Sequence, residues 1–561
     1  MIIEAPYCQH VIPYVERALA LMDGNPASKT YGCADRTFWQ YRTLTNFPAA
    51  SMQQLMLGLA VVYTFEAPDN PYHGATRILD AARAMLGYWC KIQNRDGSFN
   101  EWYQNENSYC PTAFTTAGAA LTVLKLGDQL PTQERAKAVR CLEHAASWLD
   151  DRFNPTVMNQ NLVAALGLWV LWRLTDKPVW RRAAEDKYDQ LKSLQNHEGW
   201  FPEYGGFDFG YSTLSLDLLA AADQNGAAQH AGPMAQKLAS MLASLSGDGA
   251  GYPGRLGCRG TAHLFPFGAE HFSDQFPDAE NLAANWRESY RNRALSGPGQ
   301  VDDRYFAYFY FPQFALAFAH SSHGFPLRQT PAQSNSATFP DAGISFERYD
   351  GWSLTKSRHL GGALAVQIDG ACPAYHLGYE LVTTRGERFS SAHWSPNILN
   401  GQSTSAQNSR TFVKVSGGQP LVNFMVPFHI VTSLMVFGRL AEAFQKTIKS
   451  IMIRPTKALP CTLERSVSAS AHQLIIRDTL RATKGIPPLH ALLPALDISV
   501  HSPSARQDRV ASLPLHNWEG DAAVTTLNQT GQVSLEYVFA LDESGITGLK
   551  SAILSPARQT P

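Results

Sequence analysis

The feature that most constrains this chain is a repeat inside its first half. Gln93-Asn94-Arg95-Asp96-Gly97-Ser98-Phe99-Asn100-Glu101 is matched 102 residues later by Gln195-Asn196-His197-Glu198-Gly199-Trp200-Phe201-Pro202-Glu203. In each copy a helical pattern stops at the glutamine and an acid–glycine pair supplies a tight turn. An aromatic residue and a glutamate follow, and a tyrosine-bearing stretch opens the next helix. Apolar residues recur at three- and four-residue spacing over 52–63, 78–91, 113–125, 135–149, 162–174, 180–194, 214–222 and 234–245. Helix after helix with a repeated turn describes an α/α toroid, in which the loops of one rim form a cleft.

The texture changes after residue 320. Residues 321–340, SSHGFPLRQTPAQSNSATFP, are rich in Ser, Pro, Gln and Asn and read as a linker. Beyond them, 344–347, 352–356, 363–368, 411–415, 462–468, 473–477 and 534–539 read as short strands separated by turn residues. One stretch, 437–451, is amphipathic at helical spacing. The expected architecture is therefore α+β and multidomain. An N-terminal (α/α) toroid over 1–320 is followed by the linker and by a C-terminal antiparallel β-sandwich over 341–561 with one inserted helix.

Composition narrows the function. The 561 residues are 45% hydrophobic and 17% charged, a globular balance. Forty-seven basic against 48 acidic side chains leave no broad positive field, which sets nucleic acid aside as a partner. Aromatic residues, 11% of the chain, suit a sugar-binding cleft and a large core alike. The eight cysteines are spread singly, without the spacing of a zinc site or a disulfide scaffold. The longest apolar runs, near 162–174 and 424–440, are short for a membrane span. No signal-peptide pattern opens the chain, so the expected compartment is the cytoplasm in preference to the periplasm. The sequence lacks a P-loop, a GxGxxG after a strand, a GxSxG elbow and HExxH; no cofactor and no metal are expected.

The densest polar stretch is Glu203-Tyr204-Gly205-Gly206-Phe207-Asp208-Phe209-Gly210-Tyr211-Ser212. Two carboxyls and two tyrosines sit between predicted helices, with Tyr211 opening the second. The same residues also suit a purely structural role, the carboxyls as helix caps and the tyrosines as wedges. Glu106 and Tyr109 carry the same character in the earlier copy. Asn161 precedes an apolar helix, where it serves either as a cap or as an amide facing the cleft. Arg259 and His263, with Arg255, Thr261 and His271 around them, form a basic, glycine-containing loop suited to an anionic ligand or simply to solvent. In the β half, His376 stands in Pro373-Ala374-Tyr375-His376 as a single candidate imidazole.

The order of an Asn opening a helix, an acid–Gly–aromatic–x–Glu turn and a tyrosine opening the next helix resembles the heparinase II/III-like polysaccharide lyases. The residues concerned are Asn161, Glu198-Gly199-Trp200-Phe201-Pro202-Glu203 and Tyr211. The chain departs from that pattern at Leu162, where the family commonly has His, and at Asp208-Phe209, where it commonly has a Tyr-His pair. The resemblance implies an α/α toroid joined to a β domain. It also implies cleavage of an acidic, uronic-acid-containing polysaccharide or oligosaccharide by β-elimination, with Asn161, Tyr211 and His376 as the catalytic set. Asn161, helped by Arg259 or His263, would bond the substrate carboxylate while Tyr211 or His376 removes the C5 proton. Glu203, Tyr204, Asp208, Glu106 and Tyr109 would line the binding cleft. A tyrosine with a pKa near ~10 needs a neighbouring cation to act as a base at neutral pH. Two other readings stand beside this one. In the first, a glycoside hydrolase draws its two carboxyls from Glu106, Glu203 and Asp208. In the second, a non-catalytic protein holds polysaccharide during its synthesis or export.

Overall fold

The computed structural model describes residues 7–41, 45–246, 253–261, 263–291, 295–321, 336–395, 408–415, 427–428, 430–432, 457–483, 485–497, 511–515, 519–542 and 545–554. Up to Ser321 the described elements are helices, and they fall into two kinds. Met158–Thr175 is buried on every side from Met158 to Leu171, and Phe209–Ala222 is buried all round apart from Tyr211. Thr76–Lys91 instead buries a stripe, Ile78, Ala81, Ala82, Met85, Leu86 and Trp89, and turns its charges to solvent. The first kind forms an inner ring and the second an outer one.

Leu55–Thr64, Tyr109–Leu126, Met158–Thr175, Phe209–Ala222, Phe267–Phe272 and Phe311–Ser321 pack each on the next, and the last returns to the first. Thr76–Lys91, Thr132–Asp150, Pro178–Leu194, Ala228–Ser244 and Pro277–Arg291 alternate with them on the outside. Since an outer helix brings the chain back each time, the inner helices run in one direction.

The repeated turns are built alike. Gln93 Nε2 donates to Gly97 O (3.1 Å) and to Cys141 O of the next outer helix (2.8 Å). Gln195 Nε2 does the same with Gly199 O (2.8 Å) and Met234 O (2.9 Å). Gly97 (φ 95°) and Gly199 (φ 107°) lie against the outer helix itself. A Cβ would stand 2.3 Å from His144 O in the first case and 2.4 Å from Lys237 O in the second. Only glycine supplies both the positive φ and the room.

Among the described residues the β half contains two sheets. The smaller has the order β1-β2-β3-β4-β5-β12, from Ala337–Phe339 (β1), Ile344–Tyr349 (β2), Trp352–Ser357 (β3), Ala363–Ile368 (β4), Ala374–His376 (β5) and Ala511–Ser512 (β12). The larger has the order β11-β6-β7-β8-β9-β10-β13-β14. Its strands are Tyr379–Thr383 (β6), Arg388–Ser390 (β7), Asn408–Lys414 (β8), Ala458–Ser470 (β9), Gln473–Ala482 (β10), Leu489–Pro494 (β11), Gln532–Asp542 (β13) and Gly545–Leu554 (β14). Among the described residues every pairing is antiparallel except the two-residue contact of β12 with β5. Alternate residues of β10, among them Leu474, Ile476 and Leu480, face a second core that Trp352, Leu364 and Phe539 share. The expected linker falls largely outside the described residues, and the expected helix at 437–451 falls wholly outside them. A different helix, Gly520–Thr530, lies between β12 and β13.

The two halves meet along the second repeated turn. Glu198 accepts from Asp341 N (2.8 Å) and Ala342 N (2.9 Å), and its carboxylate also takes the Trp200 indole N–H (2.9 Å). Trp394 sits so close to Gly206 that a Cβ there would be 2.4 Å from the indole.

Candidate active site

Three inner helices begin around one pocket of about 130 Å³. Ser108 and Cys110 come from the start of Tyr109–Leu126, Asn159 and Gln160 from Met158–Thr175, and Tyr211 from Phe209–Ala222. Glu101, Trp102, Tyr204, Arg259, Arg304, Tyr305 and Tyr308 complete the wall that matters chemically. Helix N-termini carry partial positive charge, each worth about 0.3–1 kcal/mol to a nearby anion. The charged side chains of the lining are Arg259, Arg304 and Glu101. The end of the toroid that holds the pocket is thus electropositive.

Tyr204 is held in a left-handed backbone conformation (φ 54°), with its N–H on Thr156 O (2.6 Å) and the adjoining Glu203 N–H on Gly206 O (2.8 Å). The result is a ring that lies flat beneath the Arg259 guanidinium, 4.4 Å from its centroid. Burial opposes the Arg259 charge, but Tyr204, Tyr211, Cys258 and Asp208 together outweigh it and raise the pKa of the group. Tyr211 is set by Asp208, whose carboxylate caps the helix through Tyr211 N (3.1 Å). The same carboxylate accepts from Arg259 N (2.9 Å) and from the Thr261 hydroxyl. One buried aspartate therefore fixes both the tyrosine and the arginine. Burial raises the Asp208 pKa, against the pull of those donors. Burial also lifts Tyr211 well above the usual phenol range; Tyr305 adds to this and Arg259 opposes it.

His263 lies behind Tyr211, edge to face at 5.2 Å between ring centroids, and burial lowers it to about 3. It is a neutral packing partner of Tyr211 and does not line the pocket. On the opposite wall, Arg304 donates to Glu101 Oε1 (2.8 Å) and stacks 3.8 Å over Trp102, a ring 49% exposed at the mouth. Cys110 Sγ is 2.9 Å from the Tyr308 hydroxyl.

The other expected site residues are placed elsewhere. The Asn161 amide is buried in the loop that precedes its helix. It donates to Asn154 O (2.7 Å) and accepts from Asn154 N (2.9 Å) and from the Tyr109 hydroxyl (2.8 Å). Its neighbours Asn159 and Gln160 reach the pocket instead. Glu106 ties its own loop, accepting from Glu101 N (2.8 Å) and Trp102 N (2.7 Å). Glu203 is buried behind Asn159, whose N–H it accepts at 3.0 Å. Burial pushes its pKa up to about 8, with the Asn159 amides pulling back and the Asp208 charge adding to the rise.

His376 lies in β5 inside the sandwich. Its Nδ1 is 3.0 Å from Arg465 Nη2, and Arg465 forms a fully buried pair with Asp478 (2.6 Å). Tyr379 and Tyr537 close that network, the Tyr379 hydroxyl bonding Asp478 (2.5 Å) and Tyr537 (3.0 Å). Burial first, and the Arg465 charge second, lower His376 to about 3. The structure brings Tyr204, Tyr211 and Arg259 together in the pocket and does not bring His376 to it.

Sequence reasoning missed Arg304, Tyr305 and Tyr308. The signal lay in Asp302-Asp303-Arg304-Tyr305-Phe306-Ala307-Tyr308, an acidic cap followed by an arginine and aromatics ahead of an inner helix. There the chain makes a π-helical turn, Phe306–Tyr310, of the kind that often marks a site. Among the described residues no group of three or more His, Cys, Asp or Glu side chains is arranged to hold a metal ion, and no helix is long and apolar enough to cross a membrane.

No family model matches the sequence, and no curated protein matches it. Among solved structures, the chain is similar to the Streptomyces coelicolor A3 chondroitin AC lyase in complex with chondroitin sulphate. The identity is 12%, over 87% of this chain and 68% of that one, with a TM-score of 0.49. It is similar to a heparan sulfate lyase from Pedobacter heparinus at 10% identity, over 79% of this chain and 63% of that one, with a TM-score of 0.36. It is also similar to a β-L-arabinofuranosidase from Geobacillus stearothermophilus T6 at 11% identity, over 90% and 96%, with a TM-score of 0.32. Polysaccharide lyases are thus among the structural neighbours of this fold.

Proposed function

We propose that the pocket binds an acidic sugar of a uronic-acid-containing polysaccharide or oligosaccharide and cleaves its chain by β-elimination. One observation carries this reading. Arg259, Tyr204 and Tyr211 share one pocket at the positive ends of the inner helices. Elimination removes the weakly acidic C5 proton, and negative charge builds on the neighbouring carboxylate. Arg259 is the group suited to bond that carboxylate, and the amides of Asn159 and Gln160 stand beside it. Tyr211 is the proton carrier. As a neutral phenol it donates to the leaving glycosidic oxygen; as a phenolate, favoured by Arg259, it takes the C5 proton. Because burial holds its pKa high, elimination should speed up with rising pH through the alkaline range. An imidazole base would give a plateau above about pH 7 instead.

A hydrolase built on Glu203 and Asp208 fits the geometry poorly, since both are fully buried and neither lines the pocket. Binding without cleavage is the second reading. It is favoured by the high Tyr211 pKa and by the lining itself, which includes no histidine among the described residues. The experiment is to incubate the purified protein with a panel of uronate polysaccharides and oligosaccharides. Ultraviolet absorbance of the new conjugated double bond is followed, beside Tyr211→Phe and Arg259→Ala. Absorbance lost by at least about 100-fold in both variants supports elimination at this site. New reducing ends without absorbance would replace it with hydrolysis, and binding with neither signal would leave a sugar-holding protein.

A further inference from the structure

Two cysteines meet on the outer wall of the toroid. Cys90 lies at the end of Thr76–Lys91 and Cys141 within Thr132–Asp150, outer helices that pack side by side. Cys141 Sγ donates to Cys90 O at 4.0 Å, which sets the two cysteine side chains alongside one another. Both are partly exposed, whereas Cys33, Cys258 and Cys461 are buried. Gln93, three residues after Cys90, holds the register by donating to Cys141 O (2.8 Å). The positions 102 residues on carry Lys192 and Ala243, so the pair belongs to the first copy alone.

We propose that Cys90 and Cys141 are a redox-modification site, closing to a reversible disulfide between neighbouring outer helices when the protein meets a peroxide. The electrostatics assign the roles. The contact with Cys90, and then the charges of Lys137 and Arg140, favour the thiolate at Cys141 against the effect of burial, while the same contact and burial hold the Cys90 thiol up. The Cys141 thiolate attacks one peroxide oxygen, giving a sulfenic acid and, after protonation of the departing oxygen, water. The Cys90 sulfur then attacks the sulfenic sulfur, its proton leaves with the hydroxyl as a second water, and the S–S bond forms. Overall, two thiols and one hydrogen peroxide become one disulfide and two waters. The bond would clamp the foot of the turn whose far end carries Glu101 and Trp102 on the pocket wall. The proposal is independent of what that pocket binds.

The test uses the full-length protein, reduced, desalted and treated with hydrogen peroxide at near-stoichiometric amounts. The expected result is a loss of two titratable thiols and of two hydrogens from the intact mass. A non-reducing digest should join the Cys90 and Cys141 peptides, and dithiothreitol should reverse the change. Oxidation should raise the unfolding temperature by several degrees, as a bridge between distant segments does. Cys90→Ser, treated with peroxide and glutathione, should carry one glutathione on Cys141 and show no rise. The proposal is overturned if Cys90 and Cys141 remain alkylatable after oxidation, or if the bridge found joins other cysteines. Mapping of the unmodified chain decides this even if the variant fails to fold.

Discussion

The two copies of the turn share a scaffold and differ in what they do with it. In both, a glutamine clamps a positive-φ glycine to the next outer helix. Glu101 and Glu203 then occupy equivalent positions with opposite fates. The first stands on the pocket wall against Arg304, and the second is sealed behind Asn159. Tyr109 and Tyr211 open equivalent helices. The Tyr109 hydroxyl is tied to Asn161, and the residue 102 places beyond Asn161 is His263, which packs edge-on to Tyr211. A polar tie in one copy is thus an aromatic contact in the other, where Tyr211 lines the pocket. The comparison teaches that the backbone bonds carry the repeat, while the chemistry resides in side chains free to diverge.

The sharpest break between the copies is expected in activity. Tyr211→Phe should lower elimination by about 100-fold or more, while Tyr109→Phe should change it little, as read by the double-bond absorbance. The scaffold itself should show no asymmetry. Gly97→Ala and Gly199→Ala each force a Cβ against a helix carbonyl at positive φ, and each should cost about 3 kcal/mol in urea unfolding. A marked inequality would break the equivalence.

The glutamates separate by pH. The folded-state pKa of Glu203, about 8, lies above its unfolded value. It therefore removes stability as pH rises from about 4.5, through 8. Glu203→Gln should gain stability over the unmodified protein across that window and hold the gain above it, by a few kcal/mol. Glu101→Gln, which loosens Arg304, should give no such gain. Denaturant titrations at pH 5 and pH 8.5 distinguish the two. The smallest effect is Tyr109→Phe on stability, about 1 kcal/mol for the lost bond to Asn161.

Much of this was legible before the structure. Three- and four-residue spacing marks inner and outer helices alike, and alternation marks β2, β3, β9 and β10. The strands β5, β6 and β7 escaped because they are only 3, 5 and 3 residues long, too short for a pattern to register. At the site, Tyr204, Tyr211 and Arg259 were readable from their loops. In Asn159-Gln160-Asn161, however, each residue turns about 100° from the last. Nothing local says that Asn161 faces back toward Val157 O, its amide 3.3 Å away. The place of His376 depends on Arg465 and Asp478, about 90 and 100 residues further on, which occupy positions that alternation alone assigns to the apolar core.

The closed inner ring has one further consequence, for how the chain is made. Leu55–Thr64 emerges early in synthesis, yet one of its two ring neighbours is Phe311–Ser321, some 250 residues later. Gly58 is the seat for Phe311, whose ring comes within 2.5 Å of where a Cβ would be. Until that segment leaves the ribosome the ring is a horseshoe with an apolar flank uncovered. The helical half can add its hairpins one by one, but it reaches its final stability only in a last, long-range closing step.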